Sequence, residues 1–261
     1  MDKSLKDKTA IVCGSTDGIG KSTAVLMADR GCQIILVARN QDKLDSTLAE
    51  LNNNQNHSSV CANFDNPEEL KKNISTALKS LNKPVDILVN NSGGPHGGPL
   101  IEANEDEFRV AFERLLICNH ILAKAVVPGM KEMKWGRVIN IISTSVRQVI
   151  AGLGVSNTIR GSVAQWGKSL ALELGEFGIT VNNVLPGYTA TSRLKDLAKT
   201  KSESTGISEE DIYEAWGNNT SLKRLGMPVE ISECIAFLAS DASSYITGHN
   251  LSIDGGRFGG A

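Results

Sequence analysis

Short apolar runs bounded by turn residues alternate along the chain with longer segments whose apolar positions recur at helical spacing. That alternation is the pattern of repeated βαβ units around a parallel sheet buried on both faces. The apolar runs predict strands at 9–13, 33–38, 58–62, 87–90, 137–142, 180–185 and 250–253. Helical patterns fill the intervals between them. Residues 18–30 carry Ile19, Ala24, Met27 and Ala28 on one face, and Gly31 follows as the glycine expected just past a helix end. Asp65-Asn66-Pro67-Glu68 opens a third helix with a cap residue and an early proline. The strongest helical patterns lie at 106–134 and 154–177, while 52–57 is an Asn-rich polar loop. Residues 190–222 depart from the alternation: they are polar, rich in Lys and Ser, and almost without apolar anchors until Ile212, Tyr213 and Trp216. An excursion of this length after a late strand predicts a mobile substrate lid, not a second domain.

Composition narrows the function classes. A chain of 261 residues that is 41% hydrophobic can bury a large core, and no composition break divides it, so residues 1–261 are expected to form one domain. A formal net charge of -2 with scattered Lys and Arg provides no basic face for a phosphate backbone, which argues against nucleic acid as a partner. Five cysteines, Cys13, Cys32, Cys61, Cys118 and Cys234, show neither disulfide nor zinc spacing and read as small buried hydrophobes in a reducing compartment. The charged start MDKSLKDK and the lack of a long apolar run predict a cytoplasmic protein with no membrane span.

The chemistry begins where the first strand ends. Gly14-Ser15-Thr16-Asp17-Gly18-Ile19-Gly20 precedes a helix, and three glycines let the backbone turn tightly while the helix N-terminus presents N–H groups to an anion. Alone such a turn is weak. Its G-x-x-x-G-x-G spacing, however, resembles the classical short-chain dehydrogenase/reductase family, and four further motifs follow in family order. They are Asn90-Asn91-Ser92-Gly93, Asn140-Ile141-Ile142-Ser143, Pro186-Gly187, and the stretch from Ile246-Thr247-Gly248 to Asp254-Gly255-Gly256. The resemblance covers nearly the whole chain and is closest to 3-oxoacyl reductase-like members. It implies an α/β fold: a single Rossmann-type, doubly wound domain with a seven-stranded parallel sheet flanked by helices. It also implies a homotetramer or homodimer built through the two long helical segments.

The same resemblance implies where a nicotinamide dinucleotide binds. The positions are Gly14, Ser15, Thr16, Asp17, Gly18 and Ile19 in the turn, Arg39 and Asn40 after the second strand, and Asn63 and Phe64 after the third. Asn90, Gly93, Arg160, Pro186, Gly187, Thr189 and Thr191 complete the set. At the end of the second strand an acidic residue favours NAD, whereas a nearby arginine accommodates the 2′-phosphate of NADP. Here Ala38 and Arg39 occupy that place, so NADP(H) is expected over NAD(H), the alternative being that Arg39 is only a solvated surface residue. Asp17 stands where many NADP-dependent members carry a second basic residue, which counts the other way.

The catalytic positions depart from the family pattern. The resemblance matches Ser143 to the serine that orients the carbonyl, but puts Ser156 where the family has its catalytic Tyr and Arg160 where it has Lys. Leu115 stands in the place of the family's relay Asn; Asn119, one turn later, is a displaced candidate for it that reads instead as an ordinary helix residue. A serine hydroxyl is a far weaker acid than a phenol, and arginine stays protonated at physiological pH. His96, Tyr188 and Arg147 are the other candidate donors. The expected function is therefore an NADP(H)-linked oxidoreductase of a small carbonyl or hydroxyl compound, without metal, through Ser143, Ser156 and Arg160. A cofactor-binding protein without turnover, serving as a sensor or partner subunit, and a lyase or isomerase on the same fold are the alternatives.

Overall fold

In a computed structural model, which describes residues 4–51, 55–81 and 83–258, all seven expected strands form with ends within one residue of the apolar runs. They are β1 (Thr9–Cys13), β2 (Gln33–Ala38), β3 (Ser58–Cys61), β4 (Ile87–Asn90), β5 (Gly136–Ile141), β6 (Ile179–Pro186) and β7 (Asn250–Ile253). Every pairing is parallel, in the order β3-β2-β1-β4-β5-β6-β7. Alternate side chains feed two cores: Ala10 and Val12 face one, and Ile11 and Cys13 the other. Helices cover both faces. On the first lie α1 (Gly18–Asp29), α2 (Gln41–Glu50) and α9 (Pro228–Leu238), contributing Met27, Leu44 and Ile235; on the second lie α3 (Pro67–Lys79), α5 (Cys118–Met133) and α6 (Gly154–Leu174), contributing Ile74, Leu122 and Leu174. Because the strand order reverses between β1 and β4, a crevice opens at their carboxyl ends, where ligands bind in such sheets.

Local chemistry sets the helix ends. Gly31 has a left-handed φ of 91°, and its N–H donates to the Ala28 carbonyl, closing α1 as its position suggested. Asn66 is the cap of α3, its side chain accepting from the Glu69 N–H, with Pro67 opening the first turn. The expected helix at 106–134 is α4 (Glu105–Phe112) joined to α5 through a π turn, Glu113–Ile117. Such bulges re-aim side chains and recur at functional sites. The Asn-rich loop lies partly outside the described residues, at 52–54.

The excursion at 190–222 corrects the polar, sparsely anchored reading. It folds into α7 (Ser192–Thr205) and α8 (Glu209–Asn218), which bury Leu194, Ala198, Ile212 and Trp216 against one another with Tyr188, Leu197 and Tyr213 packed around them. The helical period was diluted because only one narrow stripe of each short helix is apolar.

A row of asparagines stiffens the sheet behind the crevice. Asn90 donates to Asn140 at 2.9 Å, Asn140 to Asn183 at 2.9 Å, and Asn183 to Asn250 at 2.8 Å, each pair lying in register on neighbouring strands. Gly167 lets α6 pack onto this row, since a Cβ there would stand 2.6 Å from Asn183 Oδ1. Asn140→Ala would strip the partners from two buried amides, a loss of about 2–4 kcal/mol. Thermal unfolding should fall by roughly 5–15 °C for a domain of this size, measured by circular dichroism; an unchanged midpoint would mean the ladder contributes nothing.

Candidate active site at the carboxyl ends of the strands

The phosphate-binding turn is built by glycines that no side chain could replace. Gly14 and Gly18 adopt left-handed φ of 56° and 50°, and a Cβ on Gly20 would lie 2.1 Å from the Gly14 carbonyl oxygen. Asn91, just beyond β4, donates to the carbonyls of Cys13 at 3.2 Å and Gly14 at 3.5 Å, tying the two lips of the crevice together. Buried Ser15 donates to the Val37 carbonyl at 3.4 Å, and Thr16 is half-buried beside it. Asp17 caps α1, accepting from the Gly18 N–H at 2.7 Å and also from the Ser192 hydroxyl at the start of α7. Ile19 opens the first turn of α1, whose amides lack intrahelical partners.

The other expected cofactor positions all fall along the same carboxyl edge. Arg39 is exposed directly after β2, and makes no hydrogen bond or ion pair among the described residues. Asn40 caps α2, accepting from the Lys43 N–H at 2.9 Å, so its side-chain oxygen already has a partner. Asn63 accepts from the Asp65 N–H at 3.0 Å, and Phe64 is buried behind it. Asn90 ends the asparagine row with its Oδ1 buried and unpartnered, and Gly93 is exposed three residues on. Pro186 ends β6, and Gly187 leads on to buried Thr189 and to Thr191, which caps α7 and lays its methyl group against Gly18.

Ser156 and Arg160 face each other one turn apart on α6. Arg160 donates through Nε to the Ser156 hydroxyl at 3.3 Å and through a terminal nitrogen to the Ile142 carbonyl at 2.9 Å, immediately before Ser143. Burial, reinforced by the neighbouring Arg193 charge, brings Arg160 down to about 10, so it remains a cation at neutral pH. Ser143 accepts from the Ser145 N–H at 3.1 Å, which fixes its rotamer at the crevice edge. Leu115, on the π turn, and Asn119 join Arg160, Asn90 and Ile142 around a packing gap too small to hold a water molecule. One residue near this edge, Arg193, goes unmarked in the sequence. Asn119, the displaced candidate for the relay position, lines this gap after the π turn, and Arg193 carries no signal within the Lys- and Ser-rich excursion.

The alternative donors divide. Tyr188 stacks on Trp216 at 5.1 Å with Arg257 over its other face, and burial raises its hydroxyl above the ordinary value. It is an anchor of the α7–α8 cluster. His96 is exposed, and Arg147 donates to the Asn250 carbonyl at 2.7 Å. An open groove of about 740 Å³ borders the turn on the outer side of α1, but Ser143, Ser156 and Arg160 do not line it.

Comparison with known proteins fits this geometry. A family profile described as enoyl-(acyl carrier protein) reductase matches residues 14–257. The 3-oxoacyl-(acyl-carrier-protein) reductase FabG of Vibrio cholerae serotype O1 is 33% identical over 97% of this chain and 98% of its own. The chain belongs to the short-chain dehydrogenase/reductase family. Dehydrogenase/reductase SDR family member 4 of Oryctolagus cuniculus is 32% identical, across 97% of this chain and 94% of its own. Among solved structures, L-sorbose reductase from Gluconobacter frateurii, complexed with NADPH and L-sorbose, superposes with a TM-score of 0.92 at 27% identity, covering 100% of both chains. A short-chain dehydrogenase/reductase thus accounts for the doubly wound sheet and for the clustering of the expected residues on one edge. Among the described residues no helix is long and apolar enough to cross a membrane.

Proposed function

We propose that this protein is an NADPH-dependent reductase of a small carbonyl compound. The observation that carries the reading is the juxtaposition, on one sheet edge, of the glycine turn at the α1 N-terminus with an unpaired Arg39 after β2. The turn fits a dinucleotide because its backbone approaches so closely that any Cβ at Gly14, Gly18 or Gly20 would intrude. Gly14 to Ile19 would hold the pyrophosphate, Arg39 the 2′-phosphate, and Asn63 the adenine. Thr189 and Thr191 would lie across the phosphates from the turn. The sorbose reductase, crystallised with NADPH, supports the same cofactor here.

When bound, the reduced nicotinamide supplies a hydride to the carbonyl carbon. The chain's own part is to hold the carbonyl oxygen and stabilise the charge that grows on it. Ser143 and Ser156 present hydroxyls, and Ser156 accepts from Arg160, which leaves its own O–H to donate to the growing alkoxide; the alkoxide takes its proton through that hydroxyl, which recovers it from water. Arg160 acts as a fixed cation beside the developing oxyanion and takes no part in proton relay. The relatives carry reductase names, which favours turnover over a purely binding role.

The segment 190–222 serves in this reading as the substrate lid, its start resting on Asp17 and Gly18. A symmetric homotetramer or homodimer would cover the exposed Phe112 and Leu172 near α5 and on α6. Five free cysteines accord with a reducing cytoplasm.

Fluorescence titration tests the cofactor assignment. NADPH should bind more tightly than NADH, and Arg39→Ala should cut that preference roughly ten- to a hundredfold, as expected for a charge-assisted contact of about 1.5–3 kcal/mol. Equal affinities in the unmodified protein would overturn it.

A further inference from the structure

Two guanidinium groups from distant segments converge over Gly94. Arg160 reaches it from α6, and Arg193 from the first turn of α7, donating to the Pro95 carbonyl at 2.6 Å. A Cβ on Gly94 would lie 3.1 Å from one terminal nitrogen of Arg160 and 3.9 Å from one of Arg193. Neither arginine makes an ion pair among the described residues; their partners are the carbonyls of Ile141, Ile142 and Pro95 and the Ser156 hydroxyl. Asp196, one turn along α7, offsets the Arg193 charge from a distance, while Arg114, itself paired with Asp65 at 2.5 Å, adds to it. Each guanidinium is partly desolvated and each feels the other's charge or a third arginine's. Like charges drawn together with no direct ion pair are costly, and an anion between them relieves the cost.

We propose that Arg160 and Arg193 form a receptor for a carboxylate, and that the substrate is an oxo acid. The inference rests on the reductase reading above and names its substrate class. A carboxylate matches the donors that remain: the Arg160 terminal nitrogen aimed at Gly94, whose Nε and other terminal nitrogen hold Ser156, Ile141 and Ile142, and the Arg193 N–H groups not bonded to Pro95. The anion is assigned to the substrate and not to the cofactor's phosphates, whose proposed place is the turn at Gly14–Ile19. Arg160, by contrast, is bonded to Ser156 and to the residue preceding Ser143, so an anion held there belongs to the molecule whose carbonyl meets those serines. Because Arg193 comes from the lid, closure of the lid and recognition of the carboxylate become one event.

The full-length protein should be titrated calorimetrically with sodium oxamate, a non-reducible oxo-acid mimic, and with its methyl ester, each with and without NADPH. Oxamate should bind at least about tenfold more tightly than the ester, the scale of one lost charge-assisted contact. Arg193→Gln should abolish that preference with the circular dichroism spectrum unchanged, and Gly94→Ala, which places a methyl group between the two forks, should reduce it. In turnover assays kcat/KM for an oxo acid relative to its methyl ester should collapse in Arg193→Gln. A loss shared equally by acid and ester would mean that Arg193 only holds the lid, and would overturn the proposal. So would equal binding of oxamate and its ester to the unmodified protein. Failure to bind NADPH would defeat the reductase reading instead, while the oxamate titration without cofactor would still decide the carboxylate site.

Discussion

Gly20→Ala is expected to weaken NADPH binding at least about a hundredfold, the equivalent of losing two or so charge-assisted contacts to the pyrophosphate. The added methyl would have to occupy a point 2.1 Å from the Gly14 carbonyl oxygen and 2.7 Å from the Asn91 amide nitrogen. Neither neighbour can retreat freely. Gly14 is held in its left-handed conformation at the end of β1, and Asn91 is bonded to the carbonyls of Cys13 and Gly14. The turn must therefore open, moving the α1 N-terminus away from the anion it is shaped to receive. Overpacking of this kind costs about 1–3 kcal/mol, so the unfolding midpoint should fall by roughly 2–12 °C. Fluorescence titration and a thermal melt check both effects. Wild-type affinity in this variant would show that the cofactor does not use the turn.

Restoring a phenol and an amine on α6 should increase the reduction of a neutral ketone by about 10²–10⁴-fold, the usual worth of a positioned general acid. The change is Ser156→Tyr with Arg160→Lys, and the unmodified protein is expected to reduce generic ketones slowly. The two positions lie one turn apart and in contact at 3.3 Å, so a lysine cation would stand beside the new phenol and lower its pKa. Ser156 is almost fully buried, which makes accommodation of the larger ring the main risk, and a thermal melt separates misfolding from inactivity. Leu115 faces the same gap, so Leu115→Asn should act together with the pair in a non-additive way. Brisk reduction of ordinary ketones by the unmodified protein, unaffected by Ser156→Ala, would show that Ser156 does not stand in for the acid.

The strands were legible because residues such as Ile11, Val12, Ile35 and Leu36 are buried whichever face of the sheet they point to, which writes an unbroken apolar run into the chain. The turn was legible for a related reason: a backbone conformation that only glycine adopts freely leaves its mark at fixed spacing. Ser143, Ser156 and Arg160 are candidates by their position in an order of motifs that resembles the family's, and the contact between the last two follows from helical spacing alone. Other features carried no comparable local signature. Asn119 lines the gap beside Arg160 just after the π turn Glu113–Ile117, a turn that no residue type of its own announces. The α7–α8 pair looked polar because each helix hides a narrow apolar stripe that becomes a core only when the two meet. The convergence of Arg160 and Arg193 over Gly94 joins segments more than thirty residues apart on either side. What the sequence determined by itself was therefore the set of elements and the backbone turn, where each residue's own environment dictates its type. What only the tertiary structure decided was which side chains share the crevice, because that depends on distances between elements that periodicity does not encode.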